Sequence, residues 1–154
     1  MAPEAIAALK LRAEDAEDLA VLSACLQDAF VPVRDLAYVA AERRFLLAAN
    51  RFRWERSRRR AMGRPGYERV LCALTFDEVD RVSYRGFRRR EEDRILSLLA
   101  IHAGEEGAHM AIRLEFSGGI AIRLAAARIR GRVEDFGDPW PTRWQPRHDP
   151  AEAG

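Results

Sequence analysis

Arginine is the residue whose placement most suggests chemistry in this sequence. Of 26 basic residues only Lys10 is a lysine, and a planar guanidinium binds phosphate and carboxylate groups through paired hydrogen bonds. Two charged segments hold most candidates: Arg51, Arg53, Arg56, Arg58, Arg59, Arg60 and Arg64 against Glu55, then Arg85, Arg88, Arg89, Arg90 and Arg94 against Glu91, Glu92 and Asp93. We expect an anion or partner site that comprises Arg56, Arg58, Arg59, Arg60, Arg64, Arg88, Arg89 and Arg90.

The ligand of such a site stays open at this stage. Phosphate groups of nucleic acid, an anionic head group or an acidic patch on another protein would all suit clustered guanidinium groups. The sequence has no recognition-helix pattern, zinc finger or aromatic RNA-binding motif. The alternative interpretation is a pair of solvated loops whose arginines meet nearby carboxylates.

Two histidines form a second possible site. If residues 104–107 make a turn, His102 lies opposite His109, with Glu105 or Glu106 nearby. Two imidazoles could supply part of a metal shell for a hydrolase, but zinc needs three or four ligands. The spacing places no third ligand, so we prefer ordinary outer-face histidines and predict no metal and no cofactor.

Nucleophilic catalysis has little support in the sequence. There is no G-x-S-x-G elbow, P-loop or G-x-G-x-x-G motif. Cys25 and Cys72 lie in apolar segments without C-x-x-C spacing, which predicts buried, reduced thiols. Enzymatic activity is therefore not favoured.

The elements that must position these residues centre on residues 108–138. Met110, Ile112, Leu114 and Phe116 alternate with residues that are polar or small, and the alternation resumes at Ile120, Ile122 and Leu124. A three-residue loop at 117–119, a type I turn ending in a glycine of positive φ, keeps both apolar faces on one side. Arg113 should then lie opposite Arg123, needing Glu115 or a bound anion. Ala126, Ile129, Val133 and Phe136 have the spacing of a helix.

The remaining pattern predicts an α+β domain. Asp15 and Asp18 mark the start of a helix whose apolar stripe is Leu19, Leu22, Leu26 and Phe30. Seven antiparallel strands follow in sequence order, and the C-terminal helix closes the domain. The count, with the stretch LTFDEVDRVSYRG, resembles a pleckstrin-homology-like (PH-like), partly open barrel. In such a meander the loops after strands two, four and six share one end, which would bring both arginine segments beside residues 117–119.

Domain organisation and partners follow from length and patterning. At 154 residues the chain suits one domain over 1–138, with an extended tail over 139–154 in which Trp140 and Trp144 pack on the domain or on a second subunit. Residues 45–47 and 95–101 are apolar on both faces, so a partner or helix should cover them. The leading functional hypothesis is a non-enzymatic interaction or adaptor module, self-associating as a homodimer. No apolar run approaches a membrane span and no signal peptide is present, which predicts a cytoplasmic location.

Four segments, AEDLAVLSACLQDAF, RFLLAANRFRWE, LSLLAI and WPTRWQPRH, span nearly the whole length of the chain. Through them the chain resembles a family of short, uncharacterised proteobacterial proteins, a domain of unknown function. The resemblance implies a bacterial cytosolic protein and assigns no reaction or catalytic residue.

Overall fold

A computed structural model describes residues 8–54 and 67–142 of the chain. This part contains one α-helix, two short 3-10 turns and ten strands in a single antiparallel sheet. The elements are β1 (Lys10–Ala13), α1 (Ala16–Cys25), β2 (Phe30–Pro32), β3 (Leu36–Val39), β4 (Arg44–Phe52), β5 (Tyr67–Phe76), β6 (Val79–Arg85), β7 (Ile95–Glu106), β8 (His109–Phe116), β9 (Ile120–Ala126) and β10 (Gly131–Thr142). Within these residues, no helix has the length and apolar character needed to cross a membrane.

Helix α1 starts where the sequence predicted. The Asp18 N–H donates to Asp15 Oδ1 at 2.8 Å, which satisfies a free donor of the first turn. Leu19 and Leu22 are buried beneath the helix, and Ser23 Oγ accepts the Ile101 N–H of β7 at 2.8 Å. The helix therefore covers the part of β7 that β2 does not reach. It ends at Cys25, before the predicted last member of its stripe.

The strand order is β1-β10-β5-β4-β2-β7-β8-β9-β6, and β3 pairs with β4 outside this series. The predicted meander is wrong, because β5 lies between β10 and β4 whereas β6 pairs with β9. Asp77 and Glu78 carry the chain between these two places, with Glu78 at φ +60°. We call Asp77, Glu78 and Asp80, with the arginines that bind them, the acidic corner.

The predicted C-terminal helix is wrong, and with it the seven-stranded, PH-like architecture with two flanking helices. Of its predicted stripe, Ala126 ends β9, Ile129 lies between the strands, and Val133 and Phe136 belong to β10. Strand β10 pairs with β1 on one side and β5 on the other. Val133 and the side chain of Asp135 point inward, whereas Phe136 points outward and is exposed. A charged residue at an inward position and an apolar one at an outward position hide the two-residue period of this strand. Gly131 fits against Phe76, whose Cε1 would lie 2.6 Å from an added Cβ.

The β8–β9 hairpin confirms the predicted register. Phe116 pairs with Ile120 and Leu114 with Ile122, so both apolar faces enter the core. Gly119 has the predicted positive φ of +75°, but Gly118 is also positive at +79°, and the turn is therefore not type I.

A register shift in β7 explains why apolar residues at both even and odd positions of this strand are buried. The ladder with β8 slips between Leu98 and Ala100, and Leu96, Leu98 and Ile101 are all buried in one core. A bulge of this kind changes which alternate residues face inward. The prediction that residues 95–101 are apolar on both faces is therefore wrong for Leu96, Leu98 and Ile101, which enter the same core. Ile95 and Leu99 of this strand remain exposed.

Candidate anion-binding site

A row of polar side chains crosses the outer face of β6, β9, β8 and β7. Ser83 pairs with Arg123, Arg123 with Arg113, and Arg113 with His102. Residues paired directly across an antiparallel ladder project from the same face. The alternate residues of β8 and β9 fill the core, so this row faces outward. The predicted juxtaposition of Arg113 and Arg123 is confirmed.

Small residues on either side of the row make the surface concave. On one side Arg81 pairs with Ala125, Ala125 lies next to Ala111, and Ala111 next to Gly104. On the other side Arg85 pairs with Ala121. Two concavities of about 190 and 250 Å³ result, and both are lined by Ser83 and Arg123. We call this surface the arginine groove and define it by Arg81, Arg85, Arg113 and Arg123.

Carboxylates in the groove are too few for its arginines. Glu115 Oε1 lies 3.2 Å from Arg113 Nε and 3.4 Å from His102 Nε2. Arg123 donates to Glu106, and this hydrogen bond lowers the pKa of Glu106 and raises the pKa of Arg123. Among the described residues neither Arg81 nor Arg85 forms an ion pair. The buried Nε of Arg113 donates no hydrogen bond, although Glu115 Oε1 lies within ion-pair distance of it. Two glutamates thus face four arginines.

The histidines are not opposite each other. His102 pairs with Arg113 and His109 with Glu106, because β7 and β8 continue to a two-residue turn with Gly107 at φ +63°. The offset of four positions between His102 and Glu106, the register partner of His109, corresponds to about 13 Å along the strand. In the part of the chain that the structure describes, no group of three or more His, Cys, Asp or Glu could hold a metal ion. His109 instead lines the arginine groove.

Comparison with known proteins places the chain in a family. A model of DUF2948, described as a protein of unknown function, matches residues 9–148. The chain belongs to the DUF2948 family. No curated protein and no solved structure matched it. The predicted membership of an uncharacterised family is confirmed, and it assigns no activity to the groove.

The two predicted arginine segments of this DUF2948 chain have different outcomes. Arg56, Arg58, Arg59, Arg60 and Arg64 lie outside the described residues. The loop at 86–94 begins beside the 117–119 turn, since a Cβ on Gly86 would lie 3.1 Å from Gly119 O. Arg89 donates to Leu36 O at 2.9 Å, which anchors the loop to β3. Arg88 and Arg90 are exposed and form no ion pair with a described residue.

Two arginines that the sequence placed in the exposed cluster are buried in the DUF2948 core. Arg51 Nε and Nη2 each lie 2.7 Å from a carboxylate oxygen of Asp135, and both side chains are at most 3% exposed. Asp135 Oδ2 also accepts the Leu9 N–H at 2.8 Å. Arg53 binds Glu68 at 2.6 Å. These internal partners make the pairs structural components rather than ligand sites.

Trp140 lies within β10 rather than beyond the sheet, and Trp144 lies outside the described residues. Trp140 is half-buried and pairs in register with Arg69. The Arg69 guanidinium stacks 4.4 Å from the Phe30 ring centroid and donates to Asn50 Oδ1 at 3.2 Å. An arginine–aromatic cluster therefore supports the end of β10.

Sequence reasoning identified Arg113, Arg123 and Arg85 but missed the contribution of Arg81. A signal was present, since Arg81, Ser83 and Arg85 alternate along β6 with Val82 and Tyr84, which pack toward the core. Only the pairing of β6 with β9 shows that these outward polar residues of β6 continue the row of Arg113 and Arg123.

Proposed function

We propose that this protein binds an anionic ligand, through phosphate or carboxylate groups, in the arginine groove. The observation that carries the proposal is the arrangement of four arginines around two glutamates above a floor of small residues. Like charges placed directly opposite on a sheet are destabilising. An anion shared by Arg113 and Arg123 would offset that cost with charge-assisted hydrogen bonds.

The groove chemistry favours discrete anionic groups over unpaired bases. Single-stranded nucleic acid is usually held by aromatic side chains on which bases stack. The row and its flanking positions carry alanine, glycine, serine, arginine and histidine but no Phe, Tyr or Trp apart from Tyr84, whose ring turns toward Phe87 at a centroid distance of 5.6 Å. Nucleic acid thus becomes an outcome of the test rather than the first expectation.

Titration calorimetry with inorganic pyrophosphate at low ionic strength tests the proposal. The double variant Arg81→Ser with Arg85→Ser removes two exposed guanidinium groups that no described carboxylate binds. Hydrogen bonds to charged groups contribute about 1.5–3 kcal/mol each, so we expect the affinity to fall at least about tenfold. The melting temperature should not change.

The matched control is Arg88→Ser with Arg90→Ser, which removes the same charge from an exposed loop. Because surface charges are weakly screened at low ionic strength, the titration is also run near physiological salt, where this variant should retain binding within about twofold. Equal losses in both variants would indicate unspecific attraction and contradict the proposal. A triple variant with Arg58, Arg59 and Arg60 replaced by serine tests, in the same assay, whether the predicted arginine segment outside the described residues contributes to binding.

Self-association, the predicted interaction role, is the second candidate function. Leu71 and Phe136 pair in register on the outer face of β5 and β10 and are 40% and 44% exposed. Adjacent exposed apolar residues are typical of contact surfaces. Sedimentation should show a homodimer that Leu71→Asp converts to a monomer. Ile95→Asp, at an exposed position of β7, is the control, and a monomeric wild type would refute this candidate.

A further inference from the structure

Among the described strands, β6 has a free edge beside the arginine groove. It is the last strand of the sheet order and, within residues 8–54 and 67–142, pairs with β9 alone. At its start the Val79 N–H donates to Arg43 O and Val79 O accepts the Tyr38 hydroxyl. Between residues 81 and 85, no other described segment is hydrogen-bonded to the edge that faces away from β9. An edge of this kind presents backbone donors and acceptors to a further strand.

The side chains of this edge strand determine what could pair with it. Arg81, Ser83 and Arg85 face the groove and are exposed, whereas Val82 and Tyr84 pack against the core. A strand added beside β6 would place every second side chain over the groove, within reach of Arg81 and Arg85. Acidic residues at those positions complement the charge of the groove, and apolar residues suit the positions between them.

We propose that an extended, acidic segment of a partner protein adds to β6 along residues 81–85 and places alternate carboxylates over the arginine groove. Backbone hydrogen bonds supply affinity in this mode of recognition, and side-chain contacts supply specificity. The segment would not extend far beyond Tyr84, because Arg89 crosses from the Tyr84 ring to Leu36 O. The inference rests on the proposed function for its charges and names the ligand class.

Fluorescence anisotropy with short labelled peptides tests this mode on the full chain. One peptide alternates glutamate with valine, and two derivatives carry N-methyl groups on either the glutamate or the valine backbone nitrogens. Because alternate N–H groups of an edge strand point to opposite sides, only one derivative should lose affinity, by about tenfold. Replacing glutamate with lysine should abolish binding. Arg81→Ser with Arg85→Ser should weaken it, whereas Lys10→Ser with Arg12→Ser on β1, at the other end of the sheet, should not.

The outcomes separate this inference from the proposed function. If all three acidic peptides bind equally, or both derivatives lose affinity equally, pairing with the β6 edge is refuted. Pyrophosphate binding that still depends on Arg81 and Arg85 would then leave the anion groove intact. If neither pyrophosphate nor peptide binds, both proposals are refuted.

Discussion

Two arginine sites on opposite halves of the sheet differ in whether the protein itself supplies a carboxylate for every arginine. Inside, Arg51 is fully buried and bound at both ends of its fork by Asp135. Outside, Arg113 and Arg123 lie side by side in an exposed groove where glutamates are outnumbered. Burying an unpaired guanidinium would be prohibitively costly, so the interior arginine requires its own aspartate. An exposed arginine remains hydrated, and its charge stays available to a ligand.

The largest effect should follow from breaking the interior pair. Asp135→Asn leaves Arg51 buried without its counter-charge, and such losses destabilise proteins by about 3–5 kcal/mol. Urea unfolding measures the change. Glu115→Gln is the matched removal of a carboxylate in the groove, where the loss should stay within about 1 kcal/mol. Similar losses in the two variants would contradict the distinction between the sites.

Removing carboxylates from the groove should increase its affinity for anions. Glu106→Gln with Glu115→Gln removes the carboxylates that form ion pairs with Arg123 and Arg113. The freed guanidinium groups should bind pyrophosphate more tightly by about two- to tenfold, and added salt should reduce the gain. Calorimetry at two salt concentrations measures both changes. Weaker binding in this variant would show that the glutamates orient the arginines for the ligand.

The acidic corner is intermediate between the buried pair and the arginine groove, because its arginines are solvent-accessible but each has a carboxylate partner. These pairs predict that the stability of the fold decreases at acidic pH. Burial opposes ionisation of Asp77, but hydrogen bonds from Arg44 and Arg132 outweigh it and lower its pKa. Arg128 lowers the pKa of Glu78, and Arg43 that of Asp80, chiefly through hydrogen bonds. Because the folded pKa values lie below the unfolded ones, near 4, this stability is present above about pH 4 and is lost as the pH falls through the folded values.

The matching variant replaces Asp77 and Asp80 with asparagine and Glu78 with glutamine. Its melting temperature at neutral pH should fall less than that of Asp135→Asn, because exposed ion pairs contribute little. Its acid-induced decline below about pH 4 should be shallower than that of the wild type. Thermal denaturation across this pH range tests both points. If the melting temperature of this variant declined below about pH 4 as steeply as that of the wild type, other carboxylates would be responsible for the acid sensitivity.

The smallest effect is expected at Cys72, which is paired in register with Asp135 in the interior. Burial raises the pKa of this thiol to about 12, so thiolate is scarce at neutral pH. Iodoacetamide should therefore leave Cys72 nearly unlabelled in the native protein and modify the half-buried Cys25 first. Mass spectrometry reports both rates. Rapid labelling of Cys72 without unfolding would show that the interior is open to solvent.

Local patterns determined several features of this protein from sequence alone. The cap of α1, the register of β8 with β9 and the pairing of Arg113 with Arg123 all depend on neighbouring residues and one short turn. A turn of known length fixes which residues face each other. The outward histidines and the apolar core positions of that hairpin follow from the same alternation.

Only the tertiary structure decided the rest. Asp135 is an acceptable inward residue of a strand because Arg51, 84 positions earlier, lies within hydrogen-bonding distance of it. The β7 bulge and the placement of β10 between β1 and β5 likewise arise from pairing between distant segments. Sequence spacing identifies the charges but not their partners. Whether an arginine here is structural or available depends on long-range contacts, because a buried guanidinium needs a counter-charge or hydrogen-bond acceptors supplied by other segments.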